Sequence, residues 1–289
     1  MWTPISAFDR LTLSFLALLT AVILLFISLI PAWPQLIVKN SLLALAIISF
    51  ASLRRRDPRS RLYNFTHALL PIVSVLVIFN SLGDIIPFIR KHYYDDVLIR
   101  IDYMFFATYP TVWLERFNNA FLTSLFQVAY ISYYCIPIAL GISLFIKDKK
   151  DEFEIAVFAV LLCFYLSYIG YILFPAVGPR FTLNHKQTMD LQAGPMTLWI
   201  QQTLDTLEHN KTDAFPSGHT AVALVSFYYA WAYGEKMLFR ILVPTVSALV
   251  ISTVYLRYHC VIDVVAGIML AVLTILISPR IYRLFAGTS

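Results

Sequence analysis

Apolar residues gather along this chain into long, almost unbroken runs, separated by short polar breaks. A soluble core of this size does not need Leu, Ile, Val and Phe in runs of such length. About 20 apolar residues make one membrane-spanning helix. Read this way, the runs predict eight spans, at roughly 11–30, 36–53, 64–82, 120–146, 155–175, 216–234, 241–256 and 259–279. The first run is too long for the apolar part of a signal peptide and lacks a small-x-small cleavage site, so it reads as an anchor. The pattern predicts an all-α integral membrane protein with about eight transmembrane helices.

Composition agrees. Of 289 residues, 59% are apolar and 13% charged. That balance excludes a disordered chain, a nucleic-acid-binding tail protein and an ordinary soluble enzyme. The placement of charge says more than the net +5. Arg10, Arg54, Arg55, Arg56, Arg59, Arg61, Lys147, Lys149, Lys150, Lys236, Arg240, Arg280 and Arg283 all fall on one side of the predicted spans. Arg90, Lys91, Arg100, Arg116, Arg180, Lys186, Lys211 and Arg257 are spread over longer loops on the other, while Lys39 snorkels outward from span 2. The positive-inside rule places both termini in the cytoplasm, and the compact loops point to a bacterial inner membrane with the opposite face in the periplasm. Cys135, Cys163 and Cys260 are scattered in or beside apolar runs, with no disulfide or metal spacing.

Three outer segments hold the candidate chemistry. Residues 83–119, rich in Tyr, Phe and Trp, read as short helices lying in the membrane interface. Residues 176–215 form a polar loop that starts near Arg180. The turn between the last two spans carries Arg257 and His259. Phe215-Pro216-Ser217-Gly218-His219 opens span 6, so Ser217 and Gly218 leave amides and a hydroxyl at the positive end of a helix dipole, beside an imidazole. Read alone, that is a helix cap with an interfacial His. His259 and Asp263 are four apart and share a helix face. A carboxylate on one imidazole nitrogen fixes the tautomer and raises the nucleophilicity of the other. Read alone, that is a helix-stabilising pair, although an intramembrane carboxylate is costly without a purpose. Together the segments offer two histidines, a carboxylate and two arginines on one face, an inventory suited to phosphoryl transfer. His67 reads as structural, and His92 and His209 as solvated.

Pro216-Ser217-Gly218-His219 and His259-x3-Asp263 resemble the second and third motifs of the type 2 phosphatidic acid phosphatase superfamily. That superfamily includes lipid phosphate phosphatases, undecaprenyl pyrophosphate phosphatases and vanadium haloperoxidases. The resemblance covers about residues 62–280. It implies a six-helix catalytic core over 62–289, preceded by two added helices and a basic linker over 1–61. It also implies a phosphohistidine intermediate with no metal or other cofactor. His259 would be the nucleophile, Asp263 its orienting partner and His219 the acid, with Arg180, Ser217, Gly218 and Arg257 holding the phosphate.

The departures matter. The superfamily's first motif is Lys-x6-Arg-Pro, but here Leu173 stands seven residues before Arg180 and Phe181 directly after it, and Thr253 stands where an Arg is usual in the third. The pattern is more similar to the branch of inositol phosphorylceramide synthases and their bacterial relatives, which Asp102–Phe106, Tyr109–Glu115 and Tyr130–Tyr134 also resemble. Less positive charge suits a phosphodiester, hence transfer of a phospho-headgroup such as inositol phosphate, although Lys186, Lys211 or Arg90 could fold into the site. The alternative is a phosphatase acting on phosphatidic acid or undecaprenyl pyrophosphate. On either reading the partners are the bilayer and a phospholipid or polyprenyl phosphate. A transporter is disfavoured, because spans 1 and 3–7 carry no formal charge in their interiors.

Overall fold

A computed structural model describes residues 5–56, 60–207 and 210–287; Arg59 and His209 lie outside that set. The described residues form thirteen α-helices and no strand: α1 (Ala7–Leu25), α2 (Trp33–Arg56), α3 (Arg61–Gly83), α4 (Ile86–Ile89), α5 (Asp95–Phe106), α6 (Pro110–Trp113), α7 (Ala120–Ile146), α8 (Lys150–Leu173), α9 (Pro179–Thr182), α10 (Pro195–Leu207), α11 (Gly218–Ala232), α12 (Lys236–Tyr255) and α13 (Val261–Ala286). Hydrocarbon offers no water to backbone amides and carbonyls, so each crossing segment must satisfy them internally, as a helix does.

Among the described residues, seven stretches are long and apolar enough to cross a bilayer: Ala7–Leu25, Trp33–Leu53, Leu62–Ile89, Ala120–Ile146, Lys150–Leu173, Lys236–Tyr255 and Val261–Ala286. With these the chain is an all-α integral membrane protein. The eighth expected span, 216–234, is α11, which has only 15 residues. At 1.5 Å per residue that is about 22 Å, short of the roughly 30 Å of hydrocarbon. α11 is ringed by α7, α8, α12 and α13, and most of its residues are buried. A helix sheathed in protein need not match the thickness of the lipid.

Close packing around α11 depends on small residues. A Cβ on Gly267 of α13 would lie 2.5 Å from the Ser217 carbonyl oxygen and 3.1 Å from the Thr220 Cβ. Gly170 of α8 likewise makes room for Pro216. Small residues at helix crossings let backbones approach, which in a membrane substitutes for a hydrophobic driving force.

The two ends of the bundle differ in charge. At one end, the Ala7 amide donates to Glu154 at 3.0 Å, Arg10 to the Phe285 carbonyl at 2.6 Å, and His67 to Asp9 at 2.8 Å. These contacts tie the start of α1 to the starts of α8 and α3 and to the end of α13. Lys147, Lys149 and Ser143 hold the carboxylate of Glu235, which joins the α7–α8 turn to the α11–α12 turn. At the other end Lys39 pairs with Asp84 at 3.8 Å, and the candidate site opens there.

Gly267→Ala should push α13 off α11 and lower stability by about 1–3 kcal/mol, the usual cost of overpacking. Thermal melting in detergent would show it, and an unchanged midpoint would contradict the packing account. Burial alone pushes Glu235 up, but the donated hydrogen bonds outweigh it and hold the carboxyl at about 2 instead of 4.5. A carboxyl depressed by folding lends stability above its unfolded value and loses it as pH falls toward its folded value. Stability should therefore decline between pH 4.5 and about 2 in the native protein and decline less in Glu235→Gln. Superimposable acid-melting curves would argue against the lock.

Candidate active site

Three loops meet at the end opposite the Glu235 lock: the turn from α8 into α9, the approach to α11, and the turn between α12 and α13. His259 stands in the last. Its Nδ1 donates to the Ala214 carbonyl oxygen at 2.8 Å. A carbonyl can only accept, so the proton sits on Nδ1 and Nε2 keeps the lone pair. Asp263 is close, with Oδ2 3.7 Å from His259 Nδ1, but that is beyond hydrogen-bond reach. The same oxygen accepts the Cys260 amide at 2.7 Å, and the Asp263 carbonyl accepts the Ser217 amide at 3.0 Å. Asp263 thus ties the starts of α13 and α11 together.

His219 lies in the first turn of α11, where the Ser217 hydroxyl caps the Thr220 amide at 3.4 Å. Its ring packs against Tyr133 at 4.2 Å and Tyr130 at 4.5 Å between centroids, and 5.7 Å from the ring of His259. His219 Nε2 is buried and has no hydrogen-bond partner among the described residues. Such an atom is costly unless something supplies the missing partner.

Both imidazoles line one cavity of about 40 Å³, with Arg180, Lys211, Asp213 and Tyr258. At 10–15 Å³ for each water, it holds roughly three waters. That is space on the scale of a phosphoryl group. Of the three loop cations left open by the sequence, Lys211 is the one at the cavity. Lys186 is exposed, and Arg90 donates to the Ile172 carbonyl at 2.8 Å beside a separate depression.

Other expected phosphate ligands sit elsewhere. Ser217 and Gly218 are buried at the start of α11 outside the cavity wall, with the Tyr171 hydroxyl seated on Gly218. The Arg257 guanidinium does not face the cavity. It donates to Glu115 Oε1 at 2.9 Å, Gln187 Oε1 at 2.8 Å and the Met189 carbonyl at 2.7 Å. Arg257 has φ 66, in the left-handed region. That strained turn swings His259 one way and Arg257 the other.

Three carboxylates of the interfacial segment hold the loops of the site: Asp95 lies outside any motif, while Asp102 and Glu115 fall in stretches that carry a resemblance but have no role assigned by it. Asp95 accepts the amides of Val177 at 3.1 Å and Gly178 at 2.8 Å. Asp102 accepts those of Val261 at 2.7 Å and Ile262 at 2.9 Å. Glu115 accepts from Arg257 and from Thr188, whose hydroxyl is 2.6 Å away. Burial pushes the Asp95 and Asp102 carboxyls above their usual range, opposed by the amides they accept. Gly178 adds a further constraint: at φ 87 it lies so close to the Tyr258 carbonyl that no side chain would fit. The Arg180 and His259 loops touch there.

A family model described as the PAP2 superfamily matches residues 97–277, from α5 to near the end of α13. A PA-phosphatase related-family protein of Dictyostelium discoideum is 24% identical over 188 residues, which is 56% of this chain and 33% of that protein. The match therefore spans about a third of the relative's own length. No solved structure matches the chain.

A small oxyanion should occupy the cavity between the two histidines and two cations. Lys211→Ala should weaken binding of inorganic phosphate by about tenfold, the worth of one charge-assisted hydrogen bond. Isothermal titration of the detergent-solubilised protein would measure it, and equal affinities would place the anion elsewhere.

Proposed function

The chain belongs to the PAP2 superfamily, and from that membership and the site's geometry we propose that it cleaves or transfers a phosphate carried by a membrane lipid, through a covalent intermediate on His259. The observation that carries this reading is the pairing of His259, its Nε2 left with the lone pair, with the unpartnered Nε2 of His219 across a phosphoryl-sized cavity.

In the first step the lone pair of His259 Nε2 attacks phosphorus. A P–N bond forms, the bond from phosphorus to the lipid oxygen breaks, and His219 Nε2 supplies the proton that the leaving oxygen takes. Arg180 and Lys211 face the non-bridging oxygens, where charge develops. In the second step an acceptor hydroxyl loses its proton to His219 and attacks phosphorus, which breaks the P–N bond and frees His259. Asp263 acts at one remove, by fixing the turn that presents His259.

Water as acceptor makes the protein a lipid phosphate phosphatase; an alcohol makes it a phosphotransferase. The resemblance to inositol phosphorylceramide synthases favours transfer of an inositol-phosphate-type headgroup. Lys211 adds a cation beside Arg180 at the cavity and Asp213 adds an anion on the same wall, so the cation count favours neither acceptor. Both acceptors follow from one intermediate. The bundle end that carries Arg10, Lys147, Lys149 and Arg283 belongs in the cytoplasm by the positive-inside rule, so the site faces the outer leaflet, in the periplasm if the membrane is a bacterial inner one.

The test uses the full chain in vesicles with radiolabelled phosphatidylinositol, phosphatidic acid or undecaprenyl pyrophosphate, with and without an alcohol acceptor. One of these should be turned over, and His259→Ala should lower the rate by about 10³-fold or more. Label bound to the protein should be acid-labile and vanish in the same variant. Wild-type rates in His259→Ala would remove the mechanism.

A further inference from the structure

α5 touches every loop of the candidate site. Asp95 and Asp102 lie seven residues apart, two helical turns, and both are buried on one face. Asp95 holds the Val177 and Gly178 amides of the loop that carries Arg180. Asp102 holds the Val261 and Ile262 amides, two and three residues beyond His259. Between them Leu98 packs with Ala176, Ala214 and Cys260, one residue from each loop. The rest of α5 looks outward: Met104 is 82% exposed and Phe105 80%. An amphipathic helix of this kind, at the end of a membrane bundle, rests its apolar face in the headgroup and acyl boundary.

We propose that Asp95 and Asp102 are positioning residues that hold the Arg180 loop and the His259 loop at a fixed separation, and that the seating of α5 in the outer leaflet sets this separation. The inference rests on the phosphate-transfer reading and adds to it a coupling between bilayer and site. The bilayer, through Met104 and Phe105, orients α5, and the two carboxylates pass that orientation to the loops. Neither carboxylate lines the cavity, so neither touches the reacting atoms.

The experiment compares the wild type, Asp102→Asn, Asp95→Asn and the double variant Met104→Ser/Phe105→Ser, each as the full chain. Each is assayed on a short-chain, water-soluble phosphatidic acid or phosphatidylinositol and on its long-chain form in vesicles, with melting followed in parallel. Asp102→Asn should lower kcat about tenfold or more while KM stays within about twofold, because small misplacement of a nucleophile costs rate rather than affinity. Asp95→Asn should chiefly raise KM, because it loosens the arginine loop. The Met104/Phe105 double variant should lose kcat on both the soluble and the vesicle substrate. Wild-type constants in both Asp variants would overturn the proposal. So would losses that merely track a lowered melting point or failure of the Asn variants to fold, which would make the carboxylates structural. A loss by the double variant confined to the vesicle substrate would reduce α5 to lipid capture. If the wild type turns over neither lipid in either form, nor undecaprenyl pyrophosphate, the phosphate-transfer reading itself fails, and this inference falls with it.

Discussion

The first amides of a helix have no partner within it, and in this protein the two helix starts that frame the cavity are closed from outside. Asp102 closes α13 across 159 residues of sequence, and the Asp263 carbonyl closes the approach to α11 by accepting the Ser217 amide. A carboxylate drawn out of water is stable only among donors, so each bond works in both directions: the loop needs the acid and the acid needs the loop. The segments of His259 and Arg180 are bonded to buried carboxylates, and that of His219 to the Asp263 main-chain carbonyl. Two imidazoles 5.7 Å apart thus stand in a cavity built from loops tied by such bonds.

The membrane supplies the second constraint. The outer helices face lipid with exposed Leu, Ile and Phe, so they cannot gain stability by hiding those side chains from water. Cohesion comes instead from close packing about α11 and from polar locks at the two ends. The Glu235 lock lies at one end and the interfacial acids at the other. α11 spans the distance between them within a protein sheath, its N-terminal turn at the cavity.

The sequence made the spans legible because lipid imposes length and apolarity on contiguous residues. α11 departs from that rule because its surroundings are protein. His219 and His259 were legible from spacing, and their convergence on one cavity required only that both begin spans on the same face. Arg257 follows a different path. Proximity to His259 in sequence suggests a shared site, but with a left-handed φ it is buried in contacts with Glu115, 142 residues away, Gln187 and Met189. Asp95 left no local signal, and Asp102, although it opens a stretch singled out by resemblance, gave no sign of its partners, since the amides that the two hold are 82 to 160 residues distant. Lys211 could be named as one of three loop cations, and only the folded path of 210–217 selects it.

In the proposed mechanism His259 Nε2 is the atom that bonds to phosphorus. A crystal structure of the full chain with vanadate, which mimics the five-coordinate transition state, tests it most directly. Vanadium should be bonded to His259 Nε2, with an apical oxygen facing His219 and equatorial oxygens facing Arg180 and Lys211. Vanadium bonded to His219, or bound away from both histidines, would contradict it.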